Sequence, residues 1–244
     1  MLSKKLILKK THDFSASKKP ELTVVLIHGI ASDSTTYNNA LAYLEGTVSL
    51  KNVRFVTFDL LGSGKSVKSD KLEYDYKEQI EALHNAILKL KLDTPLVLVG
   101  HSLGSFIVTK YADTYKKSIK KLILVSAPVY TPEDLKNPAF KAGMEAFKKA
   151  VALKNPGILK DKMFINSMAK IVENPKNYKT LAELKTRTVM IYGNEDQLIA
   201  AYNYPKLLKD NAKYISAIKT IGRHGVTRDK YNKVREVLEE VLNA

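Results

Sequence analysis

The pattern of apolar positions predicts buried strands that alternate with helices. Runs that are apolar at nearly every position and rich in β-branched residues lie at residues 22–28, 53–58, 95–100, 121–126 and 188–193, with a weaker run at 213–219. Continuous apolar runs suit strands that are covered on both faces, as in a parallel sheet. Segments with apolar residues at spacings of three and four, typical of amphipathic helices, lie at 74–92, 105–117 and 226–242. We therefore expect an α/β fold with a doubly wound, mostly parallel sheet.

This alternation stops between residues 128 and 185. The segment has helical periodicity and contains no convincing strand. We therefore predict a core domain formed by residues 1–127 and 186–244, and a helical cap, or lid, formed by residues 128–185. Ligands of doubly wound sheets bind at the carboxyl ends of the strands, so functional residues are expected there.

Composition and charge narrow the possible functions. The chain has 244 residues, no cysteine and a net charge of +15, yet only five of its 40 basic residues are arginines. Arginine is favoured for base edges and bidentate phosphate contacts, so lysines spread along the whole chain indicate a solvated surface and no nucleic-acid partner. No apolar run approaches the ~20 residues of a membrane span, and the N-terminus lacks the apolar core of a secretory signal. We expect a cytoplasmic protein without stable membrane association.

The stretch RFVTFDLLGSGKSV, residues 54–67, ends in the Gly-Lys-Ser of a phosphate-binding loop. Such a loop needs G-x-x-x-x-G-K-[ST], so its first glycine would stand five residues before Gly64. That position is Asp59, which places a carboxylate where backbone amides should face phosphate. The following residues are polar and turn-like, so the loop does not open directly into a helix. The stretch therefore does not predict nucleotide binding.

The strongest chemical signal is Gly100-His101-Ser102-Leu103-Gly104, between a predicted strand and a predicted helix. This is the G-x-S-x-G pattern of a nucleophile on a sharp, strained turn. The two glycines remove side chains that would collide where strand and helix come close. The turn pushes the Ser102 hydroxyl out above the sheet, and we predict that Ser102 is a nucleophile.

A serine nucleophile needs a base and an acid that orients it. The chain has five histidines, His12, His28, His84, His101 and His224. We predict His224 as the base, because it lies in a Gly-flanked loop at the end of the sheet, whereas His101 is expected to point away from Ser102 and pack. Asp196, in the loop after the strand 188–193, is the predicted acid, with neighbouring Glu195 as the alternative.

Backbone N–H groups are needed to hold the oxygen that becomes negative during acyl transfer. Leu103 follows the nucleophile at a helix N-terminus, where its N–H can face that oxygen. The second donor is expected at Ile30, because Gly29 allows a tight turn at the end of the first apolar run. His28 is interpreted as a structural hydrogen-bonding residue.

The chain resembles the α/β-hydrolase fold family over nearly its whole length. The matching segments are LIHG, FDLLGSGKS, GHSLG, YGNEDQL and GRHG, at residues 26–29, 58–66, 100–104, 192–198 and 222–225. The resemblance implies that residues 59–66 form a structural turn after the fourth strand. It also implies that the helical cap is inserted after the sixth strand.

Among such enzymes, ester hydrolysis is the activity that we expect. Relatives that cleave epoxides or haloalkanes use an aspartate nucleophile, whereas this chain has Ser102, and it lacks the tryptophan on which haloalkane-type halide binding leans. The predicted function is a serine hydrolase, carboxylesterase-like, that cleaves small to medium uncharged esters through an acyl-enzyme intermediate. A thioesterase, a C–C bond hydrolase and a non-catalytic binding protein of the same fold stay open as alternatives.

The predicted cap supplies candidate substrate contacts. Its flexible or aromatic apolar side chains, which fit irregular apolar ligands, are Met144, Phe147, Met163, Phe164 and Met168. The mechanism requires no cofactor, and no cluster of His, Asp and Glu has metal-ligand spacing. The small-molecule ester is the one partner that the sequence indicates.

Overall fold

A computed structural model describes residues 6–115, 119–173 and 176–244. The described residues form a sheet of seven strands: β1 (Lys9–Ser15), β2 (Leu22–Ile27), β3 (Val53–Asp59), β4 (Leu96–His101), β5 (Ile119–Val125), β6 (Thr188–Gly193) and β7 (Ile215–Thr220). Their order is β1-β3-β2-β4-β5-β6-β7. All neighbouring strands are parallel except β1, which is antiparallel to β3. The expected doubly wound, mostly parallel sheet is confirmed.

Helices cover both faces of the sheet. The described helices are α1 (Asn38–Glu45), α2 (Tyr76–Lys89), α3 (Leu103–Thr114), α4 (Pro138–Lys154), α5 (Lys162–Ser167), α6 (Lys176–Glu183), α7 (Tyr204–Asp210) and α8 (Arg228–Leu242). Side chains of α1 and α8 pack on one face, and those of α2, α3 and α7 pack on the other. Among the described helices none is long and apolar enough to cross a bilayer.

The two-sided packing explains why the inner strands of the sheet are apolar at nearly every position. In β2, Val25 and Ile27 belong to one buried cluster, whereas Val24 and Leu26 belong to the other. Successive side chains of a strand point to opposite faces. Because each face is covered by helices, each needs apolar side chains, and the usual alternation with polar residues disappears.

The edge strand β1 was not predicted. It pairs with β3 through an irregular register between Lys10 and His12, and most of its side chains are exposed or half-buried. An ion pair joins it to β3, with Arg54 Nε 2.8 Å from Asp13 Oδ1. An edge strand with little burial needs no apolar pattern, so its residues carry no strong strand signal.

Residues 128–185 contain α4, α5, α6 and a π-helical turn, Met168–Val172, and no strand among their described positions. The segment follows β5, the fifth described strand, so its expected place after the sixth strand is not confirmed. The turn at residues 59–66 likewise follows the third strand and not the fourth. Both shifts have one cause: the described chain has one strand fewer ahead of these segments than the resemblance implied. The division into core domain and cap stays a prediction.

The Gly-Lys-Ser stretch is a structural turn built around a buried carboxylate. Asp59 Oδ1 accepts from the backbone N–H of Ser34 at 2.9 Å, and its Oδ2 accepts from that of Lys65 at 2.8 Å. Gly64 has φ +47°, and a Cβ there would lie 2.2 Å from Asp59 Oδ2. The loop therefore closes on its own aspartate, which explains why its Gly-Lys-Ser does not form a phosphate site.

Replacing Asp59 by alanine should lower the free energy of unfolding by about 2–4 kcal/mol, because two backbone N–H groups lose their acceptor. Urea denaturation measures this change. The control is Asp70→Ala, an exposed aspartate that follows the turn, which should change stability by less than about 0.5 kcal/mol. Equal stabilities of the two variants would contradict the role given to Asp59.

Candidate active site

Ser102 stands on a strained turn between β4 and α3. Its backbone has φ +50° and ψ −114°, a conformation that costs a non-glycine residue about 1–3 kcal/mol. The helix crosses the strands very closely: a Cβ at Gly104 would lie 2.1 Å from the carbonyl oxygen of Ile27, and one at Gly100 would lie 2.5 Å from that of Gly104. Glycines at both positions let the helix approach and hold the serine above the strand end.

The structure brings Ser102, His224 and Asp196 together from three separate loops. Ser102 Oγ lies 2.8 Å from His224 Nε2, and His224 Nδ1 lies 3.0 and 3.1 Å from the two carboxylate oxygens of Asp196. With Nδ1–H donating to the carboxylate, Nε2 is free to accept the Ser102 proton. This arrangement can deprotonate the hydroxyl as it attacks a carbonyl carbon.

Asp196 is built to stay ionised. Its side chain is fully buried, and burial raises the pKa of a carboxyl group. Hydrogen bonds from His224, Ser126 and the backbone N–H of Leu198, with the charge on His224, outweigh burial and lower its pKa below the usual range. The carboxylate therefore favours the charged imidazolium that forms when His224 takes a proton.

Glu195, the alternative acid, points elsewhere. Its carboxylate lies 3.6 Å from Arg223 Nε, and both side chains are exposed. An exposed ion pair of this kind contributes little to stability. The Glu195 carboxylate is directed to Arg223 and not to the imidazole of His224. Asp196 is the carboxylate that contacts His224.

His101 does more than pack beside the nucleophile. Its Nε2 donates to the carbonyl oxygen of His224 at 2.9 Å, and the two rings are 5.3 Å apart. Burial lowers the pKa of His101 to about 3, assisted by the nearby His224, so the ring is neutral. Because a carbonyl oxygen can only accept, the neutral ring carries its proton on Nε2, and among the described residues its buried Nδ1 has no hydrogen-bond partner.

The other histidines lie away from this hydrogen-bond chain. His28 accepts from the backbone N–H of Leu60 at 3.0 Å and donates to the carbonyl oxygen of Gly29 at 2.8 Å, and burial lowers its pKa. It therefore ties the loop after β2 to the Asp59 turn. His12 contacts Glu45 at 2.5 Å, and His84 stacks on Tyr115.

The two expected oxyanion donors lie beside Ser102. Leu103 is the first residue of α3, where a backbone N–H has no acceptor within the helix. Ile30 lines the same cavity as Ser102 and His224, and the chain turns sharply after it, with φ +54° at Ala31. Both residues thus lie next to Ser102, and their role as oxyanion donors stays a prediction.

A small apolar cavity opens on the Ser102 hydroxyl. Its volume is about 20 Å³, room for about one water molecule. Two of the predicted cap residues, Met144 and Phe147, line it. Larger clefts of about 180–220 Å³ lie elsewhere on the surface, away from Ser102. The candidate site is therefore identified by its Ser102 and His224 side chains and not by the size of its cavity.

Met163, Phe164 and Met168 are not among the residues that line this cavity, contrary to expectation. All three are buried in the main apolar cluster. Met163 packs against the Asp59 turn, where its Sδ lies 3.9 Å from Ser63 Oγ. These side chains anchor the segment 128–185 to the rest of the protein, because a helix packs stably only where it buries apolar side chains against another element.

Sequence reasoning missed four cavity residues, Pro128, Tyr130, Val172 and Leu198. Pro128 and Tyr130 follow β5 and Leu198 follows β6, so the rule that ligands lie at strand carboxyl ends could have found them. The Tyr130 hydroxyl donates to the carbonyl oxygen of Leu198 and joins these two loops. Val172 sits in the π-helical turn, which no pattern in the sequence predicts.

Within the described ranges no group of three or more His, Asp or Glu side chains could hold a metal ion.

A family model described as the alpha/beta hydrolase fold matches residues 23–157, more than half of the chain. The chain belongs to the α/β-hydrolase fold family. The match includes β2, the Asp59 turn and the Ser102 elbow of this α/β hydrolase, and α4 lies within it.

Similar proteins include enzymes named as lipases. The α/β hydrolase is 33% identical over 138 residues to the probable lysophospholipase BODYGUARD 5 of Arabidopsis thaliana, a match that covers 56% of this chain and 31% of that protein. It is 26% identical to lipase 1 of Psychrobacter immobilis, over 88% of this chain and 77% of the lipase. The solved esterase from Exiguobacterium antarcticum superposes with a TM-score of 0.72 at 20% identity, covering 97% of this chain and 96% of that one.

Gly104→Ala should destabilise this α/β hydrolase by about 3 kcal/mol or more, or prevent folding, because the new Cβ would collide with backbone that cannot move away. Gly143→Ala is the matched control. It lies within α4 with no atom within 4 Å of its Cβ position, so alanine should stabilise the protein by up to about 1 kcal/mol. Thermal unfolding of both variants checks the pair, and a well-folded Gly104→Ala would contradict the close crossing.

Proposed function

We propose that this α/β hydrolase is a serine esterase that cleaves small to medium uncharged carboxylic esters through an acyl-enzyme intermediate. The observation that carries the proposal is the continuous hydrogen-bond chain from Ser102 Oγ through His224 to the buried carboxylate of Asp196. A serine hydroxyl is a weak nucleophile on its own, and this chain supplies the base and the orienting acid that activate it.

In the acylation step, Ser102 Oγ attacks the ester carbonyl carbon while its proton moves to His224 Nε2. Asp196 holds the imidazole through Nδ1–H and stabilises the imidazolium that forms. The carbonyl oxygen, now negative, is held by the backbone N–H groups of Ile30 and Leu103. The bond between carbonyl carbon and alkoxide then breaks, and the leaving alkoxide takes the proton from His224.

Deacylation repeats the sequence with water as the nucleophile. Water loses a proton to His224 Nε2 and attacks the acyl carbon, and the same two N–H groups hold the oxyanion. Collapse of this intermediate breaks the bond to Ser102 Oγ, which regains its proton from His224. The free acid leaves, and the site returns to its starting state without a metal or cofactor.

The cavity lining supports an uncharged, apolar substrate. Apart from Ser102 and His224 its residues are apolar or, like Tyr130, have the polar group engaged elsewhere. A cavity of about 20 Å³ does not hold an acyl chain, so substrate entry requires the cavity to widen, and Met144 and Phe147 of α4 form part of its wall. The names of the lipases and esterases among the similar proteins agree with ester cleavage.

A fluorophosphonate probe should label the wild-type protein, and Ser102→Ala should abolish labelling and lower the turnover of p-nitrophenyl esters by about 10³-fold or more. Asp196→Asn should lower turnover by about 10³ to 10⁴-fold, because the neutral amide no longer holds the productive tautomer. The matched control is Glu195→Gln, which changes the adjacent, exposed carboxylate and should leave turnover within about twofold. Retained activity in Ser102→Ala would overturn the proposal, and much faster cleavage of matched thioesters would replace the ester assignment.

The preference for acyl-chain length tests whether this cavity binds the acyl group of the substrate. Phe147→Ala should raise kcat/KM for butyryl and hexanoyl esters relative to acetyl esters by about tenfold, because it removes a ring from the lining. Leu153→Ala, an exposed leucine on the same helix, is the control and should leave the ratio unchanged. Highest activity on a charged acyl group, or the same ratio in both variants, would count against the proposed substrate class.

A further inference from the structure

Lys230 is a buried lysine that the proposed mechanism does not use. It lies on α8, its exposed fraction is 0%, and no acidic side chain of the described residues contacts its ammonium group. Instead Nζ donates to Ser126 Oγ at 2.8 Å, to the carbonyl oxygen of Gly225 at 2.9 Å and to that of Arg223. Lysines are almost never fully buried unless they are satisfied in this way, so the position calls for a physical reason.

The three contacts match an ammonium group. Two of the acceptors are carbonyl oxygens, which can only accept, and the third is the Ser126 hydroxyl oxygen, whose group also contributes to the lowered pKa of Asp196. An ammonium has three donors and no acceptor, so three acceptors satisfy it completely. Burial lowers the pKa of Lys230 from its ordinary value, and the Asp196 charge opposes that effect.

These contacts hold the loop that carries His224. Its carbonyl oxygens at three consecutive positions accept from buried donors: Lys230 binds those of Arg223 and Gly225, and His101 binds that of His224. The second anchor of Lys230, Ser126, is itself buried at the end of β5 with φ +50°. A serine held in that costly conformation beside the acid is consistent with a positional role.

We propose that Lys230 is a positioning residue of the active site: its ammonium clamps the backbone on both sides of His224 and, through Ser126, orients the carboxylate of Asp196. The inference rests on the proposed function, because it assigns a task within the same site. It extends the chain of contacts to Lys230–Ser126–Asp196–His224–Ser102, in which Ser126 accepts from Lys230 and helps to lower the pKa of Asp196.

The positive charge of Lys230 acts on the electrostatics around His224, which a side chain with a packing role alone would not do. The groups that face His224 are Asp196 from the β6 loop, Ser102 and neutral His101 from the elbow, and Lys230 from α8. The Arg223–Glu195 pair is exposed beside this loop, and the hydroxyls of Tyr130 and Tyr204 lie near Asp196. Loss of the cation, or of the Ser126 hydrogen bond, leaves Asp196 a stronger attractor for a protonated imidazole.

The test measures kcat, KM and the pH profile of kcat/KM for a p-nitrophenyl ester in Lys230→Met and Ser126→Ala. Lys230→Met should lower kcat about tenfold or more, because His224 is less well held, with KM within about twofold. In both variants the acid limb of the profile should move to higher pH by about half a unit or more, since protonated His224 is favoured. Lys233→Met, on the same helix but paired with Glu236 at the surface, should match wild type.

Chemical rescue separates positioning from folding. Lys230→Ala removes a group equivalent to n-propylammonium. Adding n-propylammonium chloride should therefore raise the kcat of this variant about tenfold, whereas tetramethylammonium chloride should not. If neither Lys230 variant folds, Ser126→Ala decides, because it keeps the lysine and its two carbonyl contacts. An unshifted acid limb in Ser126→Ala, or a folded Lys230→Met with wild-type kcat and profile, overturns the inference.

The outcomes distinguish this inference from the proposed function. Ser102→Ala and fluorophosphonate labelling are measured in the wild-type background, where Lys230 is intact. Ser102-independent activity would remove the proposed function and the inference with it. Ser102-dependent activity that is insensitive to Lys230 and Ser126 would remove the inference alone.

Discussion

The close crossing of α3 over β2 and β4 is the constraint on which the candidate site depends. Gly104 lies against the carbonyl oxygen of Ile27 with no room for a Cβ, and Gly100 lies against the backbone of Gly104. The chain between them must reverse within three residues, and Ser102 takes the left-handed conformation that this reversal requires. The same crossing places the N-terminus of α3, whose first N–H groups have no acceptor within the helix, directly after Ser102. A looser crossing would relax the turn and lower the serine toward the sheet.

The parallel sheet supplies the rest of the geometry. Because β2, β4, β5 and β6 run in one direction, the loops that follow them meet at one edge. That edge brings Ile30, Ser102, Ser126 and Asp196 together, and the loop before α8 adds His224. Buried polar side chains then fix these loops to one another, since an unpaired polar group there would be costly. The neutral His101 and the charged Lys230 hold the backbone of the histidine loop from two sides.

Much of the fold was predictable because burial leaves a clear trace in sequence. Strands covered on both faces are apolar at nearly every position, so the five strong runs found in the sequence correspond to β2–β6, and the weaker sixth run corresponds to the partly exposed edge strand β7. The exposed strand β1 and the short helix α1 leave no such trace. The elbow at Ser102 was predictable because steric exclusion demands glycines at fixed spacing. The apolar side chains of residues 128–185 were harder to interpret, since a methionine that anchors a helix, such as Met163, and one that lines a cavity, such as Met144, look alike in sequence. The role of Lys230 could not be predicted, because in a lysine-rich chain the sequence does not distinguish one buried lysine from the exposed ones.

We propose that His224 and Asp196 activate Ser102 and that the backbone N–H groups of Ile30 and Leu103 hold the developing negative charge. The most direct measurement is a crystal structure of the protein after reaction with a small alkyl fluorophosphonate. We expect a phosphorus atom bonded to Ser102 Oγ, a phosphoryl oxygen within hydrogen-bond distance, about 2.7–3.1 Å, of both N–H groups, and His224 still in contact with Asp196. Phosphorus on another residue, or a phosphoryl oxygen directed away from Ile30 and Leu103, would contradict it.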